Sequence, residues 1–160
     1  MIGIKLAGDA MKRIERAAKV AEASIKGAVR KAATRVVRQA KINVKQTLNT
    51  TGASTGYLGR SITMAEAPGR GVRDFAMAVG PTAIYGRIHE FGGVITPVRA
   101  ERLAWRGPDG AFHAAMSVTI PKRPYLHPAL EDTAAEIEND FAAVAAYILN
   151  DEAAAGGGGG

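Results

Sequence analysis

The chain is 160 residues long, 47% hydrophobic and 22% charged, with a formal net charge of +6 and no cysteine. One globular domain with one core is the expectation at this size, and disulfide and thiolate chemistry are excluded. No apolar run approaches the roughly 18 residues that span a bilayer, and the opening MIGIKLAGDAMKRIE lacks a basic head followed by an apolar core, so neither a membrane span nor export is expected.

The charge is polarised along the chain. Residues 1–50 carry 12 Lys+Arg against 3 Asp+Glu, whereas residues 131–160 carry 7 acidic side chains and no basic one. Ends of opposite sign predict complementary surfaces, meeting within one chain or between copies.

From about Asp9 to Leu48 there is neither proline nor a turn cluster, which predicts one long basic helix. Met11, Ile14, Ala18, Ala21, Ile25, Ala28 and Ala32 follow 3-and-4 spacing, and the stripe drifts on through Val29, Val36, Val37, Ala40 and Val44. Such a helix would extend about 60 Å, longer than a domain of this size covers alone. Either Gly27 breaks it, or part of it meets another subunit. LNTTGASTGYLG reads as a loop. Ile62 and Met64, then Phe75, Met77 and Val79, form the two arms of a hairpin turning near Pro68, Gly69 and Gly71. Thr82 is placed to cap a short helix that runs to Phe91 and ends at Gly92 or Gly93 with positive φ. Val94 to Thr96 is extended. Turn chemistry in GPDG, with Phe112, Ala114, Met116, Val118 and Ile120 alternating after it, predicts a second hairpin with Leu103 and Trp105 facing the same core.

Pro128 suits the first turn of a closing helix. Ala134, Ile137, Phe141, Val144, Ala145 and Ile148 form its expected buried stripe, with Glu131 and Asp132 at its positive end. The architecture expected is α+β: a long N-terminal helix at 9–48, an antiparallel sheet of about four strands within 60–121, a short middle helix, and an amphipathic helix at 128–153 packed on the sheet. Residues 1–153 would form the single domain and 154–160 a flexible glycine-rich tail.

Catalytic signatures are missing. His89, His113 and His127 lack the i, i+4 spacing of metal ligands, and HEFGG is not HExxH. Neighbours on a helix point about 100° apart, so His89 and Glu90 do not address one proton. No serine sits in a G-x-S-x-G elbow, and no glycine run ends as a phosphate loop does. Neither enzyme activity, metal nor cofactor is expected. Lys12, Arg16, Lys19, Lys26 and Arg30 could meet DNA phosphates or an acidic partner, and a nucleic-acid-binding module is the alternative reading.

Three segments, TGYLGRSI (55–62), IYGRIHEFGG (84–93) and RPYLHPALED (123–132), together resemble the neck, or tail-completion, proteins of long-tailed bacteriophages, the gene-product-ten-like family. Members show TG-x-L-x-x-S-I, then Y-A-x-x-x-E-F-G, then R-P-F-L-x-P-A before a last helix. Here Gly86 stands for the usual alanine and Tyr125 for phenylalanine. The resemblance implies a virion protein, made in the host cytoplasm, that forms a homo-oligomeric ring at the head–tail junction or tail end. Connector, tail-terminator or tail-tube proteins would be its neighbours, with genomic DNA in the channel. Its motif residues Tyr57, Leu58, Tyr85, His89, Glu90, Phe91, Gly92, Arg123, Pro124, Tyr125 and Leu126 become the candidate interface set. Tyr85, Phe91, Tyr125 and Leu126 are placed either as interface anchors or as core packing, the aromatics of 84–93 are expected to anchor its helix to the sheet, and Glu90 to pair with an arginine within the subunit or across a ring contact.

Overall fold

The structure, a computed structural model, describes residues 8–48, 56–68, 74–107 and 109–156. Helix α1 (Gly8–Leu48) runs unbroken through Gly27, which leaves the second of the two expectations for this helix standing. Its stripe is covered unevenly. Val36, Ala40, Val44 and Leu48, four residues apart, are buried together with Asn43, but Met11 and Ile14 are 46% and 55% exposed.

A single helical turn, α2 (Tyr57–Ser61), leads directly into strand β1 (Ile62–Ala67), which pairs with β2 (Ala76–Pro81). The end of the expected loop is therefore helical, while its residues 49–55 and the tip of the first hairpin, 69–73, lie outside the described residues. Ile62 is buried, whereas Met64 on the same face is exposed. Helix α3 (Gly86–Phe91) starts three residues later than expected, because the Thr82 N–H and hydroxyl both donate to Ser61 O (2.9 and 3.4 Å) rather than capping a helix. Its end is as expected. Gly92 takes φ 72°, and its N–H donates to Ile88 O at 2.8 Å. A Cβ there would lie 2.9 Å from Lys122 N, so the position also needs the missing side chain.

The four-stranded sheet is not formed. Besides β1–β2, strand β3 (Gly93–Ile95) pairs antiparallel with β6 (Val118–Ile120), and β4 (Leu103–Arg106) pairs antiparallel with β5 (Phe112–Ala115). The alternation from Phe112 to Ile120 thus splits at exposed Met116 and Ser117 between two sheets. Alternation states which side chains share a face; it does not state which backbone a strand pairs with. Of the expected GPDG turn, Pro108 lies outside the described residues; Gly107 N–H donates to Ala111 O (2.8 Å) and Ala111 N–H to Asp109 Oδ1 (3.1 Å). Trp105 does not enter a core. It is 42% exposed and stacks on His113, its cross-strand partner, with ring centroids 5.6 Å apart.

Helix α4 (Leu126–Gly156) begins two residues before Pro128 and passes the expected end at 153; 157–160 lie outside the described residues. Glu131 and Asp132 consequently fall beyond its first turn. Its inward stripe is narrower than expected. Ile137, Val144 and Ile148 are half-buried, but Ala134, Phe141 and Ala145 are exposed.

Contacts divide the chain into two compact units. The first comprises Met1–Thr34, Glu66–Ala78 and Ala134–Gly160; the second comprises Arg35–Ala65 and Val79–Thr133. In the first, Lys31 Nζ pairs with Asp140 Oδ1 at 2.7 Å, Arg30 pairs with Glu66 at 2.6 Å, and the Lys26 ammonium lies 4.4 Å from the Phe75 ring centroid. In the second, all three motif segments converge.

Candidate functional site

Glu90, in the second unit, is buried, at 5% exposure. Its Oε2 accepts the N–H groups of Tyr125 (2.8 Å) and Leu126 (3.0 Å), and its Oε1 accepts that of His127 (3.0 Å). These are the donors at the start of α4, which a helix cannot satisfy internally. The next residue, Pro128, has no N–H to satisfy. A carboxylate at the positive end of the helix adds a favourable charge–dipole term, and each bond is charge-assisted. The expected arginine partner of Glu90 is replaced by this cap, supplied from 35 residues away in the chain. Local sequence shows a capping residue only when it is adjacent to its helix; Glu90 is not.

The same joint is tied at other points. Arg123 N–H donates to His89 O (2.8 Å), and the Tyr125 hydroxyl donates to Gly86 O (3.2 Å). Tyr125 is fully buried, and burial first, the Glu90 carboxylate second, push its phenol up to about 12. Gly86 is required by this packing. A Cβ there would meet Pro81 Cγ, lie 2.8 Å from Pro81 Cβ, and lie 3.0 Å from the Tyr125 hydroxyl. From α1, the Asn43 amide donates to Tyr125 O (3.3 Å) and accepts from Gln39 (3.1 Å), while Gln39 also donates to Asp132 (3.3 Å). Asn43 and Gln39 were not among the expected site residues. The available signal was a polar residue inside the Val36–Leu48 stripe, since an amide kept at a core position needs a partner.

The first motif joins through Leu58, which is buried, and Ser61, whose hydroxyl donates to Leu58 O (2.8 Å). Tyr57 lies against Tyr85 (centroids 6.3 Å), and Tyr85 meets His89 edge-on (5.9 Å). His89 Nδ1 is buried without a hydrogen-bond partner, and burial first, then Arg123, hold the imidazole below its ordinary 6.5. Pro124 and Leu126 are half-buried beside Tyr125. For Phe91 only the packing role is contradicted. It is 68% exposed, and so anchors nothing within the chain. Of the basic set, Lys12, Arg16 and Lys19 are exposed on α1, Lys26 pairs with Glu22 (2.8 Å), and Arg30 pairs with Glu66; all belong to the other unit.

Chemically, then, the acid of the middle motif, Glu90, is occupied as a structural acceptor, and His89 faces apart from it. Among the described residues no three His, Asp or Glu side chains gather as a metal site. The family model for phage virion morphogenesis proteins matches residues 2–144, nearly the whole chain. The chain belongs to that family. No curated protein and no solved structure matches it. As a phage virion morphogenesis protein it acts in the virion, in concert with other virion proteins. No described helix is long and apolar enough to cross a membrane.

Proposed function

We propose that this virion morphogenesis protein is a structural, non-enzymatic component of the phage neck, forming a ring that completes the tail or joins it to the head. The observation that carries the reading is the division of labour within the three motifs. The Glu90 carboxylate and the N–H groups of Tyr125, Leu126 and His127 are consumed in holding α3 to the start of α4, while Tyr57, Ile84, Tyr85 and Phe91 of the same segments remain exposed. Exposed aromatic and aliphatic groups on a rigid joint suit assembly rather than turnover. Connector, tail-terminator or tail-tube proteins would be the neighbours. A phage lacking this gene should accumulate filled heads and tails that remain unjoined or incomplete by electron microscopy, and added protein should restore infectious particles. Complete, infectious virions without it would overturn the proposal.

A second reading, contact with DNA, is supported by Lys12, Arg16 and Lys19, whose 4-and-3 spacing puts three exposed cations on one face of α1. Duplex binding through these three would weaken with salt at a logarithmic slope of about −0.9 per phosphate contacted, so roughly −3. Binding absent at low salt would remove this reading.

A further inference from the structure

Helix α3 presents three distinct faces. Gly86 and Glu90 are buried in the joint, and Tyr85 lies against Tyr57 and against His89. The remaining ridge is Ile84, in the turn entering the helix, followed by Arg87 and Phe91. Ile84 is 98% exposed and Phe91 68%, and Arg87, between them in the chain, is exposed as well. Because Glu90 is buried, Arg87 is the charge this segment turns to solvent.

A surface of complementary character lies on α4. Glu138, Phe141, Ala142, Ala145 and Leu149 recur at i, i+3, i+4, i+7 and i+11, one helical face, and all are exposed, Leu149 at 66%. Two alanines between Phe141 and Leu149 leave a shallow path that admits bulky side chains, as ridges enter grooves in helix packing. An acid stands at one end, on a helix with no lysine or arginine between 126 and 156.

We propose that the Ile84–Arg87–Phe91 ridge of one subunit docks on the Glu138–Leu149 face of α4 in a second copy, with Arg87 meeting Glu138. The occupant is chosen by charge and shape together: a cation between two large apolar groups, opposed by an anion beside an alanine path. Two different surfaces of identical subunits make a heterologous contact, which closes into rings when the rotation allows. The contact rests on the ring-assembly reading and gives it an address.

The full-length chain is tested by sedimentation velocity and native mass spectrometry, with circular dichroism as a control for folding. Arg87→Glu and Glu138→Arg should each weaken self-association by about tenfold or more, as like charges then face each other. Both positions are exposed, so folding should be unchanged. The double variant R87E/E138R, which restores opposite charges at every contact, should recover association to within about threefold of the original chain. If either single variant associates normally, or the double variant is as defective as the singles, the contact is wrong while ring assembly can stand. A chain that stays monomeric at all concentrations, alone and with virion partners, overturns both.

Discussion

Removing the Glu90 carboxylate should undo the junction between α3 and α4 from the inside. Glu90→Ala leaves three N–H groups without their acceptor. That of Tyr125 is buried and carries a full desolvation penalty of roughly 1–3 kcal/mol, whereas those of Leu126 and His127 are part-buried and reachable by water, at about 1 kcal/mol each. Loss of the charge at the helix start adds about 0.5–1 kcal/mol. The expected destabilisation is therefore about 3.5–6 kcal/mol. Glu90→Gln should recover only part of this, with a loss of about 2–3 kcal/mol, because both oxygens accept and an amide would turn its NH₂ toward an N–H donor. Urea unfolding followed by circular dichroism measures the loss, and hydrogen exchange at residues 125–127 locates it. A loss under about 1 kcal/mol for alanine, or a glutamine variant equal to the parent, would refute the cap as a principal fastening. Assembly should fail together with folding in this variant, not separately from it.

Gly86→Ala should cost about 1–3 kcal/mol by overpacking against Pro81, and adding Tyr125→Phe should not rescue it because the Pro81 clash remains; paired unfolding curves decide this. Stability should also depend on pH at both ends of the range. Tyr125 has a folded pKa raised to about 12 from 10.0, so its contribution is complete below pH 10 and lost as pH rises toward 12; Tyr125→Phe should flatten that alkaline loss. His89 has a lowered folded pKa, so its contribution is complete above pH 6.5 and lost as pH falls below it; His89→Phe should remove this acid-side loss. Gly27→Ala should stabilise by about 0.5–1 kcal/mol, since Gly27 lies within a continuous helix with no atom near its would-be Cβ; no gain would mean that α1 is interrupted there in solution.

How far a feature could be read in advance follows the distance over which it is decided. The two long helices were legible because helical bonds link residues four apart, and 3-and-4 spacing marks the covered side directly. The 103–115 hairpin was legible because GPDG closes it locally. The sheet was not, because a strand's partner is a choice among distant segments: β6 takes β3, more than twenty residues back, and leaves β5 to β4. Phe91 and Phe141 were misplaced for a related reason. Helical spacing defines a stripe, but whether anything lies against it depends on the rest of the molecule. His89 beside Glu90 shows the same limit. Helix geometry alone separated the two side chains; that the acid then fastens α4 rather than an arginine was decided by the approach of residues 125–127, thirty-five positions away. Sequence by itself determined the helices, the turn glycine at 92, the polarised charge and, through its motifs, that this is a phage virion protein. Only the tertiary structure decided which polar groups are spent inside the joint and which apolar ones are left facing out, because burial is a property of long-range packing.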